Sequence, residues 1–175
     1  MTGSMSFLGA FAPRPSGKPY ASTTDMVVEL HMLTETMKDM TSQIEQYQGG
    51  MSNLLYLTRG TYKVYDSAMN TQKRIASTEV TEGRDEEDQV LTATYEMISA
   101  LTEAIVATAS KVSFVKKIPS GSSIVQAVLS KIYDAKEGLR AALLRHCADG
   151  FTPEILDLFC DFEQRYTDLI SDLRA

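Results

Sequence analysis

The sequence predicts an all-α protein, an elongated antiparallel bundle of four or five long helices with coiled-coil-like heptad packing. Three observations carry this. Apolar residues recur at steps of three and four in successive stretches, the gaps between stretches hold helix stop and start signals, and no convincing strand pattern interrupts them. The clearest stripe reads Met26, Leu30, Leu33, Met37, Met40, Ile44, Tyr47, Met51, Leu54. Such steps place every side chain on one narrow face of a helix, the seam of a coiled coil or bundle.

Residues 1–23 read as a disordered N-terminal arm. Pro13, Pro15 and Pro19 with Gly3, Gly9 and Gly17 deny it regular structure. Phe7, Leu8 and Phe11 form a small apolar island in it, a candidate docking arm beside the plainer reading of a tail. Residues 24–175 are expected to form a single helical-bundle domain. Thr23 or Thr24 can cap the first helix, expected over 24–48, and Asp25 suits the positive end of its dipole. Gly49-Gly50 is a natural stop, since each glycine inside a helix costs about 1 kcal/mol. The stripe nonetheless crosses both glycines in phase and then weakens to Thr58, Thr61, Tyr65, Ala68, Gln72 and Ile75. A hairpin of helices 24–48 and 51–78, or one kinked helix, both fit; the unbroken phase slightly favours the latter.

A loop at 79–84 precedes a helix expected over 85–117, with Leu91, Tyr95, Ile98, Thr102, Ile105, Ala109 and Val112 on its seam. Asp85-Glu86-Glu87-Asp88 at its start suits the helix dipole and solvent better than a metal. Lys111, Lys116 and Lys117 sit near its end, and Ile118-Pro119-Ser120-Gly121 closes it. The helix over 123–147 follows a serine cap, with Val125, Val128, Ile132, Ala135, Leu139, Ala142 and His146 inward, and Asp149-Gly150 ends it. Thr152-Pro153-Glu154 is a start signal for 153–174, whose seam is Ile155, Phe159, Phe162, Tyr166, Leu169 and Leu173.

At 175 residues, 43% apolar and 23% charged, the composition is that of a folded chain. The net charge of −6 disfavours nucleic acid and anionic surfaces, and no segment is a basic patch. No run approaches the roughly 20 apolar residues of a membrane span. There is no signal-peptide pattern, so the expected location is the cytoplasm at synthesis, with leaderless export or incorporation in an assembly open.

No catalytic, metal or cofactor constellation is found, and a non-enzymatic protein is expected. His31 and His146 lack the carboxylate and histidine neighbours of helical metal sites. Cys147 and Cys160 fit no zinc spacing. Across a hairpin turning near Gly150 they would lie about 10 Å apart along the axis, too far for a disulfide, so buried free thiols are expected. Ser120-Gly121-Ser122-Ser123 could receive an anion at a helix start, but serves adequately as a turn and cap.

Three features suggest binding. Met26, Met32, Met37 and Met40 give the first helix an adaptable surface, read as core before groove. Tyr47, Tyr56, Tyr62 and Tyr65 cluster around the glycines with Met51, Leu55, Leu57 and Val64. Met37, Met40, Tyr47, Met51, Leu55, Tyr56, Tyr62 and Tyr65 are therefore the candidate partner interface. Glu154, Asp157, Asp161, Asp168 and Asp172 line the far face of the last helix, a solvated face before an electrostatic handle.

The leading expectation is a structural or assembly protein that self-associates, as a homo-oligomer, or binds a protein partner, in outline similar to helical subunits of filaments, shells or secretion machines. An adaptor or chaperone holding a partner segment is the first alternative, and a small-ligand-binding helical bundle the second. The last is disfavoured because the inward polar positions, Thr58, Thr61, Gln72, Thr102 and His146, are too few and scattered to converge on a ligand.

Overall fold

Gly49 and Gly50 decide the first branch of the architecture. Both hold positive φ, 104° and 91°, a conformation that glycine alone enters without strain. The chain turns there, so the stripe that runs through the glycines in phase belongs to two helices and the kinked single helix is ruled out. A computed structural model describes residues 22–78 and 83–175; the arm with Phe7, Leu8 and Phe11 lies outside the described residues. Six helices follow in order: α1 Thr23–Glu45, α2 Met51–Ala76, α3 Arg84–Ala109, the single turn α4 Val112–Val115, α5 Gly121–Leu143 and α6 Pro153–Arg174. Among the described residues there is no strand.

Local chemistry sets the ends. Ser22, one residue before the expected caps, accepts the Asp25 amide at 3.4 Å. Thr152 accepts the Ile155 amide at 3.4 Å, with Pro153 in the first turn. The helix expected over 85–117 is interrupted after Ala109, where the Ser110 hydroxyl turns back onto the Ala107 carbonyl at 2.6 Å. The helix expected over 123–147 starts at Gly121 and tightens into a 3₁₀ turn at Leu144–His146.

Neighbour contacts give the direction of each helix. Arg74 pairs with Glu29, and Gly60 lies against Met40, so α1 and α2 are antiparallel. Thr23 meets Glu86 and His31 meets Glu96 at 3.1 Å, so α3 runs parallel to α1. Lys131 lies over Tyr65, and Gly138 sits where any Cβ would fall 2.3 Å from the Gln72 side chain, so α5 runs parallel to α2. Tyr133 meets Glu163 and Arg140 meets Phe159, so α6 returns antiparallel to α5. Together with packing of α6 on α3, these pairs close a ring in the order α1, α2, α5, α6, α3, and successive long helices alternate in direction.

The interior of this ring is the hydrophobic core. Met26, Leu30, Leu33, Met37 and Met40 from α1 point into it, as do Val128, Ile132, Ala135 and Leu139 from α5 and Ile155, Phe159, Phe162, Leu169 and Leu173 from α6. Two stripes were only partly legible in the sequence: Ala68 and Ile75 on α2 and Ile98, Thr102 and Ile105 on α3 are buried as expected, and other positions differ. On α2 the buried positions are Val64 and Thr71 rather than their neighbours Tyr65 and Gln72. On α3 Tyr95 is 46% exposed, while Val90, Ala93, Thr94, Met97 and Leu101 are buried. The reason is close packing on two flanks: the small residues Ala93, Ala100 and Ala107 are buried on α3 where α1 and α6 pack against it, so it buries a broad face. By length and composition α3 is apolar enough to cross a membrane, and 56% of its apolar window is buried inside the bundle.

Candidate functional site

One end of the ring is incompletely filled. The second halves of α1 and α3 and the first halves of α2 and α5 diverge around an apolar cavity walled by Met37, Met40, Leu54, Val64, Leu101, Ile105, Val128 and Ile132. It holds about 90 Å³ of space, enough for several water-sized molecules, within about 790 Å³ that includes its open side. A second void of about 10 Å³ follows deeper in the bundle. Met37, Val64, Leu101 and Ile132 wall both and separate them, and Ala135, Lys136 and Leu139 line the second. From Leu101 to Lys111 at the outer end the main cavity extends about 15 Å, ten residues at helical rise.

The wall is more apolar than its sequence suggests. Thr58, Thr61 and Thr108 reach the cavity, yet each hydroxyl donates back to its own helix, to the carbonyls of Leu54, Leu57 and Ala104 at 2.9, 3.0 and 2.8 Å. A threonine whose hydroxyl is spent in this way presents chiefly its methyl group. Thr102, another inward polar position, likewise donates to Ile98 at 2.9 Å.

The polar groups gather at the outer end. Tyr47, in the α1–α2 turn, is buried, and its ring meets Phe114 edge-on with centroids 6.4 Å apart. Burial holds its phenol above the usual tyrosine range, so it stays a protonated O–H donor. Lys111, between α3 and α4, also lines the cavity and donates from Nζ to the Glu45 carbonyl at 2.6 Å. That bond fixes the α1 terminus to the α3–α4 joint.

The eight residues assigned to a partner surface divide. Met37, Met40 and Tyr47 are buried and line the cavity, so they form no outer face of this bundle. Met51, Leu55, Tyr56 and Tyr62 are exposed on α2, and Tyr65 is half-buried beneath Lys131. Of the remaining candidates, His31 is exposed, and His146 is buried with Nε2 3.1 Å from the Ile75 carbonyl oxygen. Cys147 is buried, its thiol pushed up to about 11 by desolvation with a contribution from Glu87. Cys160, expected to be buried, is exposed. No cluster of metal-ligating side chains occurs among the described residues.

Sequence reasoning missed Lys136. Its side chain is buried, hydrogen-bonds Glu163, forms an ion pair with Glu137, and lies over the rings of Tyr133, Phe162 and Phe159 at 4.3, 4.9 and 5.8 Å. Charge adjacent to the Ala135 seam position was the available signal, but only the α5–α6 contact shows what pairs with it.

No family model matches the chain, and no curated protein matches it in sequence. In fold it is similar to the crystal structure of AFMP4P in complex with palmitic acid, with a TM-score of 0.79 at 12% identity. The likeness covers 87% of this chain and 99% of that one. This places the chain among helical bundles of that architecture. It also corrects the leading functional expectation: a bundle of the same fold is occupied by a fatty acid, which matches the small-ligand alternative and not a self-associating structural subunit.

Proposed function

We propose that this protein binds a long-chain fatty acid non-covalently, with the acyl chain inside the five-helix ring. The observation that carries the reading is the apolar cavity at one end of the bundle, whose threonines have turned their hydroxyls away from it. The earlier objection, that inward polar residues do not converge, applies to a polar ligand. An acyl chain asks for the opposite, an elongated apolar wall with polar groups at one end. AFMP4P, of similar fold, was crystallised with palmitic acid, which supports the same class of ligand.

The test is titration calorimetry of delipidated protein with palmitate, beside the variant Ala104→Phe. Ala104 lines the cavity from α3, and a phenyl ring there would occupy ligand space. Saturable binding by the native chain and at least tenfold weaker binding by the variant, with ligand-free melting temperature within a few degrees, are expected. Equal binding by both proteins, or none by either, would refute the proposal.

A further inference from the structure

Tyr47 is among the residues lining the cavity, and its hydroxyl is buried and unbonded among the described residues. Leaving such a donor unsatisfied is costly, and natural structures rarely do so without a use for it. The same cavity is lined by Lys111, whose ammonium bonds only the neutral Glu45 carbonyl, two residues before Tyr47, and has no carboxylate partner among the described residues. Lys116 and Lys117 follow within six residues in the sequence.

We propose that Tyr47 and Lys111 form the carboxylate subsite of the acyl cavity: the Tyr47 hydroxyl donates to a fatty-acid carboxylate oxygen, and the Lys111 ammonium exchanges a backbone carbonyl for the same group. This inference rests on the acyl-chain reading above. A carboxylate drawn to the edge of an apolar cavity needs donors and a counter-charge, and these two residues supply both. The protonated phenol is in the right state to donate at neutral pH. The opposite end offers a poorer anchor. Lys136, at the second void, is already bonded to Glu163 and Glu137, so an arriving carboxylate would meet two others.

The deciding experiment compares palmitic acid with methyl palmitate, identical in chain but uncharged at the head, on the full-length native protein, Tyr47→Phe and Lys111→Met. The native chain should prefer the acid by about tenfold or more, the scale of one charge-assisted hydrogen bond. Each variant should lose most of that preference while binding the ester as before, with its melting temperature retained. The carboxylate subsite is overturned if the native chain binds acid and ester alike, or if both variants keep the preference for the acid. It is also overturned if they weaken acid and ester equally, a purely structural effect. Those three results leave acyl-chain binding intact; absence of binding for acid and ester together removes that reading as well.

Discussion

Chain length is the most direct probe of where a ligand sits. If the alkyl chain lies in the cavity, each methylene leaves water and gains about 0.8 kcal/mol, a factor of about four in affinity. Lengthening octanoate to laurate adds four methylenes, hence about 3 kcal/mol, or about 200-fold, as an upper value. Ordering of a flexible chain opposes this and lowers the observed gain. The cavity also sets where the gain stops. Its outer part runs about 15 Å from Lys111 to Leu101. There Met37, Leu101 and Ile132 close it off, and the void behind them is only about 10 Å³. Saturated acids from 6 to 20 carbons, titrated by competition against a fluorescent fatty acid, should therefore strengthen at least tenfold from octanoate to laurate and level off beyond. A change of less than threefold across the whole series would refute the reasoning, because a chain lying on the surface or in bulk solvent gains nothing systematic from this geometry.

Three further outcomes follow from the packing. Glu163 feels desolvation, which raises its pKa, but hydrogen bonds from Lys136 and Tyr133 outweigh it and hold the carboxyl below the usual range. A depressed folded pKa gives stability that is present above the unfolded value of about 4.3 and is lost as pH falls through the folded one. Glu163→Gln, measured by urea unfolding, should cost about 1 kcal/mol at pH 7, discounted because the side chain is 37% exposed, and the difference should shrink below pH 4. Phe162→Ala, which removes a fully buried ring stacked near Tyr133 and Tyr166, should cost about 3–5 kcal/mol in the same assay. In native protein at pH 7 a maleimide should label exposed Cys160 within minutes and leave Cys147 unmodified until the chain is unfolded, as burial and a thiol pKa of about 11 require.

What the sequence determined by itself was the all-α class and, for α1, α5 and α6, the buried face. Those helices turn one stripe to the interior, and a 3–4 stripe identifies a single face directly: Leu30, Leu33, Leu139, Phe159 and Phe162 are all buried as the spacing requires. Spacing says nothing about how closely neighbours approach, and this is why α3, packed by α1 and α6 over Ala93, Ala100 and Ala107, was read one stripe too narrow. The Gly49-Gly50 turn was undecided for a related reason. Phase is a property of the sequence and continues through the pair, whereas positive φ at both residues is a property of the folded backbone.

The candidate site was legible only as composition. Met37, Met40 and Tyr47 were visible as adaptable or amphipathic side chains, but whether they cover a partner or a void depends on what the other helices bring opposite them. Thr58, Thr61 and Thr108 look polar in a sequence and line an apolar wall once their hydroxyls bond the helix four residues back. Lys111 looked like a charge at a helix end. Only the ring, by carrying the α1–α2 turn onto the α3–α4 joint, sets it at the cavity with the unbonded hydroxyl of Tyr47. Helix formation follows from near neighbours along the chain, but a cavity is the space that non-neighbours fail to fill, so its position is decided in the tertiary structure.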